Sequence, residues 1–266
     1  MFIGMDAIVK GLAPRYGTVQ LSFFRFASGA VFAIIIWMIW RTPVPGPGKW
    51  RMHLLRSLLL MVTLALYFQA LTLLPLAQAV AMGYTAPIFI SLLAVTLLRE
   101  RPSRWIWAAL ALGLAGAGVA LWPELERTGS PRLAGLLYAG LSAVSFAFVM
   151  VLTRKQAQQD SLPTFLLLQN LIPTVLLAAP VAFAWQPVQP GDLPAIAGVG
   201  ALASLGLFGI TWALRHTEAS RLAPMEYTGF VWAAGLGYLV FGEVPSAYTA
   251  ASAALIVAGC LLLVRR

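Results

Sequence analysis

The segment MGYTAPIFISLLAVTLLRERPS at residues 82–103 recurs as MEYTGFVWAAGLGYLVFGEVPS at residues 225–246. Met, Tyr and Thr hold the same register near the start of both copies, and both copies end in Glu-x-Pro-Ser. Self-similarity over a long period is typical of a duplicated chain. The sequence therefore predicts two homologous repeats, 1–122 and 133–266.

The composition places both repeats in a membrane. Hydrophobic residues make up 60% of the chain and charged residues 10%, with a mean hydropathy of +0.84. Soluble domains average about 25% charged residues. The net charge of +9 does not indicate nucleic-acid binding, because the basic residues lie scattered between apolar runs rather than clustered on one face. The predicted partner is the lipid bilayer.

Apolar runs long enough to cross a bilayer recur along the whole chain. A spanning helix needs about 20 residues. The first 13 residues are too short and are interpreted as the second half of a first helix that begins outside this chain; Asp6 and Lys10 argue against a signal peptide. The fold class is thus all-α, with ten transmembrane helices, the first incomplete. The nine full spans are predicted near 19–40, 54–74, 76–98, 104–122, 133–153, 162–185, 192–214, 219–241 and 245–264.

Positive residues predict the orientation. With the N-terminus inside, thirteen of the 18 Lys and Arg residues fall on the inner side. Five helices per repeat is an odd number, so the repeats insert with opposite orientation. Such inverted repeats are common in secondary transporters, which bind substrate where the repeats meet. The thirteen inner residues are Arg41, Lys49, Arg51, Arg56, Arg99, Arg101, Arg104, Arg154, Lys155, Arg215, Arg221, Arg265 and Arg266.

Glu226 is an ionisable residue inside the ninth predicted helix. Such groups usually face a cavity or a partner. One hypothesis is a site for a proton or cation, which would permit proton coupling; the other is an interfacial carboxylate paired with Arg221 or Arg215. Pro224, two residues earlier, frees a carbonyl that can bind a ligand or merely kink the helix.

Matched hydroxyl groups mark the candidate substrate cavity. Tyr84 and Thr85 occupy the same repeat positions as Tyr227 and Thr228, and therefore similar depths. They can line a central cavity or form ordinary bonds between helices. Pro87 would loosen the fourth helix beside them. The complete set of candidate binding residues is Tyr84, Thr85, Glu226, Tyr227, Thr228, Phe68 and Trp212.

Other polar residues in apolar runs have simpler interpretations. Asp6 and Lys10 are four residues apart and can pair along one helix face. Arg25 opens the second helix and is expected to snorkel to the outer surface. Gln69, Gln78, Gln169 and Asn170 are expected to bond between helices rather than to bind a ligand.

The sequence carries no catalytic signature. It contains neither a His-Glu-x-x-His motif nor a Gly-Lys-Ser/Thr loop. Its two histidines, His53 and His216, lie at predicted inner helix ends, away from Ser142 of the Gly-x-Ser sequence. No catalytic residue, metal site or cofactor is predicted, and the chain is not expected to be an enzyme.

The chain resembles the EamA-type members of the drug/metabolite transporter superfamily. Segments 77–80, 97–102 and 114–119 carry the resemblance in the first repeat, and 219–224 and 241–245 in the second. Residues 6–10 and 23–26 resemble the S-adenosylmethionine-uptake-like subset.

The resemblance implies a secondary transporter in the bacterial inner membrane. Its substrate would be a small organic metabolite, of the amino acid or derivative class, moved by alternating access. The alternatives are efflux of drugs or toxic cations and, in a different class, an intramembrane enzyme or scaffold. A monomer and a homodimer are both compatible with the sequence.

Overall fold

The computed structural model describes residues 1–43, 45–46, 49–86, 88–90, 92–93, 104–125, 131–157, 161–216 and 219–264. Within these ranges, the side chains of residues 210–228 and of a few other helical positions are not described. Every regular element of the described residues is helical, in agreement with the predicted all-α class.

The described helices follow the predicted segments closely. The fourth is the exception: it was predicted over 76–98, but a turn at residues 84–85 ends it early, and helical residues resume at 86, 88–90 and 92–93. Five described segments are long and apolar enough to span a membrane: Thr18–Trp40, Trp50–Leu73, Pro131–Thr153, Leu162–Phe183 and Pro190–Gly209. The helices are α1 Phe2–Leu12, α2 Thr18–Trp40, α3 Trp50–Leu73, α4 Leu76–Gly83, α5 Arg104–Leu125, α6 Pro131–Ala157, α7 Leu162–Phe183, α8 Leu193–His216, α9 Ala219–Phe241 and α10 Ala247–Val264.

Local sequence explains where several helices begin and end. The Ser161 hydroxyl accepts a hydrogen bond from the Thr164 backbone N–H, and Pro163 lies in the first turn of α7. Arg41 ends α2 in the left-handed conformation, with φ 48°. Gly242 follows α9 with φ +67°, and its N–H donates to the carbonyl of Tyr238.

The chain divides into two compact units, each built from both predicted repeats. Unit 1 comprises Met1–Phe68 and Leu152–His216, and unit 2 comprises Gln69–Val151 and Thr217–Arg266. In unit 1, α2 packs against α7 and α8, and α1 packs against α8. In unit 2, α5 packs against α10, and α4 packs against α9 and α10. Helices from one predicted repeat thus bury their surfaces against helices from the other.

Glycines permit the closest of these helix contacts. In unit 2, a Cβ on Gly116 would lie 2.6 Å from Ile256 and 3.0 Å from the carbonyl of Ser252. In unit 1, a Cβ on Gly200 would overlap Ser28. Between membrane helices, small residues allow close backbone approach and hence more van der Waals contact.

Candidate functional site

Three predicted cavity residues have described side chains. Phe68 is fully buried in unit 1, and its ring lies 6.5 Å from that of Tyr67. In unit 2, Thr85 is buried and its hydroxyl donates to the Met82 carbonyl at 2.7 Å. Tyr84 packs against a small apolar cluster that contains Ile88. Thr85 also lines a small pocket whose other described walls are apolar.

The remaining predicted residues are described only through their backbone. Trp212 belongs to α8, and Glu226, Tyr227 and Thr228 belong to α9, but their side chains lie outside the described residues. Pro87 also lies outside them. The cavity around Tyr84 and Tyr227 therefore stays a prediction.

Arg25 does not reach the surface as the sequence predicted. It is 5% exposed, and its guanidinium Nη1 donates to the Asn170 Oδ1 at 2.8 Å. The guanidinium carbon also lies 4.6 Å from the centre of the Phe26 ring. The prediction was wrong because Arg25 faces α7 and bonds there to a buried amide oxygen.

Asp6 does not form the predicted pair with Lys10. It is 4% exposed, and its Oδ2 accepts a hydrogen bond from the Tyr67 hydroxyl at 3.1 Å. Its other oxygen, Oδ1, has no hydrogen-bond partner among the described residues. The carboxylate lies on the buried face of α1 with Met5 and Val9, and it is directed to α3 rather than along its own helix.

Arg56 is a second buried guanidinium in unit 1. Its Nη1 donates to Gln169 Oε1 at 2.9 Å, and its guanidinium carbon lies 4.0 Å from the centre of the Phe165 ring. The predicted role of Gln169 and Asn170 is confirmed, because each amide accepts a bond from an arginine on another helix. Consecutive residues of α7 therefore hold two buried arginines.

Gly29 lets α2 approach α7 closely enough for the Arg25 bond. A Cβ at this position would come within 2.5 Å of Asn170 Oδ1 and 3.5 Å of the Ser204 hydroxyl. Because Gly29 is one helical turn from Arg25, both face α7. A larger residue at position 29 would displace the amide that binds the guanidinium.

A polar clasp joins the α1–α2 connection to the α7–α8 connection within unit 1. The Tyr16 hydroxyl donates to Asp192 Oδ2 at 2.7 Å, and Arg15 pairs with Asp192 Oδ1 at 2.7 Å. The Gln20 side-chain Nε2 donates to the Gln186 carbonyl at 2.8 Å, and its Oε1 accepts a hydrogen bond from the Gln186 N–H at 2.9 Å. Asp192 was not predictable as a contact residue, since an acidic residue in a loop has no distinctive pattern. We call the residues Arg15, Tyr16, Gln20, Gln186 and Asp192 the loop clasp.

Glu243, from the repeated Glu-x-Pro-Ser motif, binds the start of another helix in unit 2. Its Oε2 accepts a hydrogen bond from the Leu76 N–H at 2.8 Å, at the beginning of α4. The first N–H groups of a helix have no partner within the helix, and a carboxylate there is favoured by the helix dipole. This copy of the motif therefore has a structural role.

Glu243→Ala is expected to lower the free energy of unfolding by about 1 kcal/mol, because the α4 N-terminus loses its acceptor. Glu243→Gln keeps an acceptor oxygen and should lose only part of that amount. The measurement is unfolding of the purified protein by SDS in mixed micelles. Equal stability of the alanine variant and the native protein would contradict the capping role.

The family of the chain follows from its match to a known sequence profile. The profile of the EamA-like transporter family matches residues 3–122 and residues 133–265. The chain belongs to the EamA-like transporter family. The resemblance noted in the sequence is thereby confirmed. The two matches nearly fill the chain. Only the connection at residues 123–132 and the extreme ends lie outside them.

Named relatives align along most of their length. The S-adenosylmethionine uptake transporter of Rickettsia conorii is 26% identical over 97% of this chain and 87% of the relative. The pseudopaline exporter of Pseudomonas aeruginosa is 27% identical over 99% and 92%. The riboflavin transporter of Vibrio cholerae is 30% identical over 77% and 68%. A crystal structure of a 24% identical protein matches all of this chain and 98% of that one, with a TM-score of 0.65, and supports the fold.

The family and the relatives agree on the class of protein. The chain is a multi-pass membrane transporter and not an enzyme. The relatives' names include both uptake and export, and they name different small molecules. Family membership therefore does not determine the direction of transport or the substrate of this chain.

Proposed function

We propose that the chain is a secondary transporter that moves a small metabolite with an α-amino-acid group across the bacterial inner membrane by alternating access. The observation that carries this proposal is the pair of buried, oppositely charged side chains Asp6 and Arg25 in unit 1. Charged groups inside membrane helices are costly and usually belong to a substrate or ion pathway. A ligand that carries a positive and a negative group is electrostatically complementary to an interior that contains a carboxylate and a guanidinium.

Export of a toxic cation is less compatible with the same interior. Arg25 and Arg56 are both buried and contribute positive charge to unit 1. A purely cationic ligand would be repelled by these guanidinium groups, whereas a carboxylate would be attracted to them. The relative named as an S-adenosylmethionine transporter gives a first compound to test.

Alternating access and proton coupling are parts of the same proposal. Two five-helix repeats of opposite orientation would allow the transporter to expose its site to either side of the membrane in turn. Glu226 in α9 is the proposed coupling group. We expect Glu226→Gln to remove any dependence of transport on a pH gradient while the protein stays folded.

The proposed function is tested by transport in proteoliposomes. Labelled S-adenosylmethionine, a set of amino acids, riboflavin and an organic cation are each supplied with and without a pH gradient. We expect saturable transport of at least one α-amino-acid compound, competed by its unlabelled form, and none in empty liposomes. Transport of riboflavin or of the organic cation alone would contradict the proposed substrate class.

A further inference from the structure

A small cavity lies inside unit 2, beside the turn that ends α4. Its volume is about 80 Å³. Four of its described walls lie between residues 82 and 89, three belong to α5, and one, Gly140, belongs to α6. Gly113 lets Ile88 lie directly against α5, because a Cβ at position 113 would overlap the Ile88 side chain. Three segments of unit 2 therefore form the cavity.

The described walls of the cavity suit an apolar ligand. Each is a glycine or an apolar residue except Thr85, whose hydroxyl already donates its hydrogen to the Met82 carbonyl at 2.7 Å. An ordered water needs two or more polar partners, and a pocket for a polar metabolite carries a few polar groups that orient the ligand. These walls do not provide such a set, so hydrocarbon is the ligand chemistry that fits them.

The cavity is continuous with an exposed apolar surface. Leu114, one of its walls, is 57% exposed, whereas Met82, another wall, is 4% exposed. On α6, Leu141 follows Gly140 and is also 57% exposed. This part of α6 belongs to the candidate membrane span Pro131–Thr153. Acyl chains are as apolar as leucine and surround such side chains in a bilayer.

The cavity also lies near the middle of its helices. Gly140 is nine residues after the start of its 23-residue span, and Leu114 is ten residues after the start of the 22-residue α5. At about 1.5 Å per residue, both lie about 15 Å from a helix start, half the thickness of a hydrocarbon core of about 30 Å. Because phospholipids direct their head groups outward, the methyl ends of the acyl chains lie at this depth.

We propose that the cavity binds the methyl end of a phospholipid acyl chain, which enters from the bilayer beside Leu114. An unfilled apolar cavity lacks van der Waals contacts that an inserted chain would supply, and the surrounding bilayer provides such chains in excess. The chain would pack on Met82 and Thr85 and thereby support the turn at residues 84–85. Binding of lipid at this position is independent of which compound the protein transports.

Photo-crosslinking tests both the site and its depth. The purified protein is placed in nanodiscs of phosphatidylcholine that carries a diazirine near either the methyl end or the glycerol end of one acyl chain. After illumination, mass spectrometry measures the labelling of the buried Met82 relative to that of the exposed Leu141. We expect the methyl-end probe to label both residues and the glycerol-end probe to leave Met82 unlabelled.

Two substitutions fill the cavity, and a neighbouring one is the matched control. Ala117→Leu and Gly140→Leu each enlarge a wall residue, and a Cβ at Gly140 would meet no atom within 4 Å. Gly118→Leu adds similar bulk at an exposed position outside the walls, where a Cβ would also meet no atom within 4 Å. We expect each filled variant to lower the ratio of Met82 to Leu141 labelling by about tenfold, the effect of about two lost methylene contacts. Gly118→Leu should leave the ratio unchanged.

Three results would overturn the lipid assignment. Labelling of Leu141 without Met82 in the native protein would show that no chain enters the cavity. An unchanged ratio in the filled variants would show that Met82 is labelled from another side, and either variant decides this if the other cannot be purified. A ratio that falls as S-adenosylmethionine or another transported compound binds would assign the cavity to the substrate instead.

Discussion

Asn170→Leu is expected to lower the free energy of unfolding by about 3 kcal/mol. The two side chains have similar size, so the substitution mainly removes the oxygen that accepts a hydrogen bond from Arg25 at 2.8 Å. The guanidinium would then stay buried with one more unbonded donor, and hydrogen bonds to charged groups contribute about 1.5–3 kcal/mol. Unfolding of the purified protein by SDS in mixed micelles measures the loss.

Two further variants control for helix packing and for the charge. Val175→Ala changes the same helix at a residue that is 65% exposed, and its effect should stay below about 0.5 kcal/mol. Arg25→Met combined with Asn170→Leu removes both partners and should be more stable than Asn170→Leu alone. If the double variant is less stable than Asn170→Leu, the unbonded guanidinium is not the cause.

Asp192→Ala is expected to cost about 2 kcal/mol through the loop clasp. Its side chain is only 7% exposed, and it accepts bonds from Tyr16 and Arg15, both at 2.7 Å. The alanine would leave the buried Tyr16 hydroxyl without this acceptor and would release the two connections. The same unfolding assay measures this loss of stability. We also expect the cysteine introduced by Gln189→Cys to react faster with a thiol reagent when Asp192→Ala is present than when Asp192 is retained.

The contribution of Arg15 should be smaller than that of Asp192. The Arg15 side chain is 45% exposed, and ion pairs with exposed partners usually contribute less than about 1 kcal/mol. We therefore expect Arg15→Ala to retain most of the stability and Tyr16→Phe to lose more. An Arg15→Ala variant as unstable as Asp192→Ala would mean that the ion pair, and not the buried hydroxyl bond, holds the clasp.

Sequence reasoning predicted the elements of this fold better than its side-chain contacts. The apolar runs and the proline and glycine breaks predicted eight of the nine full segments near their described positions, since helix length and turn chemistry are local properties. The end of α4 at Gly83 was missed, because the turn at residues 84–85 lies within a continuous apolar run.

The candidate site was predictable only in part. The expectation that Gln169 and Asn170 bond between helices was correct, because a buried amide in an apolar run needs a partner. The partners themselves were not predictable. Arg25 could reach the membrane surface by extending its side chain, and Asp6 could pair with Lys10 on its own helix. In the structure, Arg25 bonds to Asn170 and Asp6 bonds to Tyr67 instead.

The sequence by itself determined the membrane class, the repeated segments and the transporter family, because composition, span length and motif register are properties of the chain alone. The tertiary structure decided which helices meet. Packing between the repeats in unit 1 places Asn170 beside Arg25, and packing within the first repeat places Tyr67 beside Asp6. Gly29 allows the close helix packing on which the Arg25–Asn170 contact depends. Which residues lie opposite a glycine across a helix interface cannot be read from a local sequence pattern.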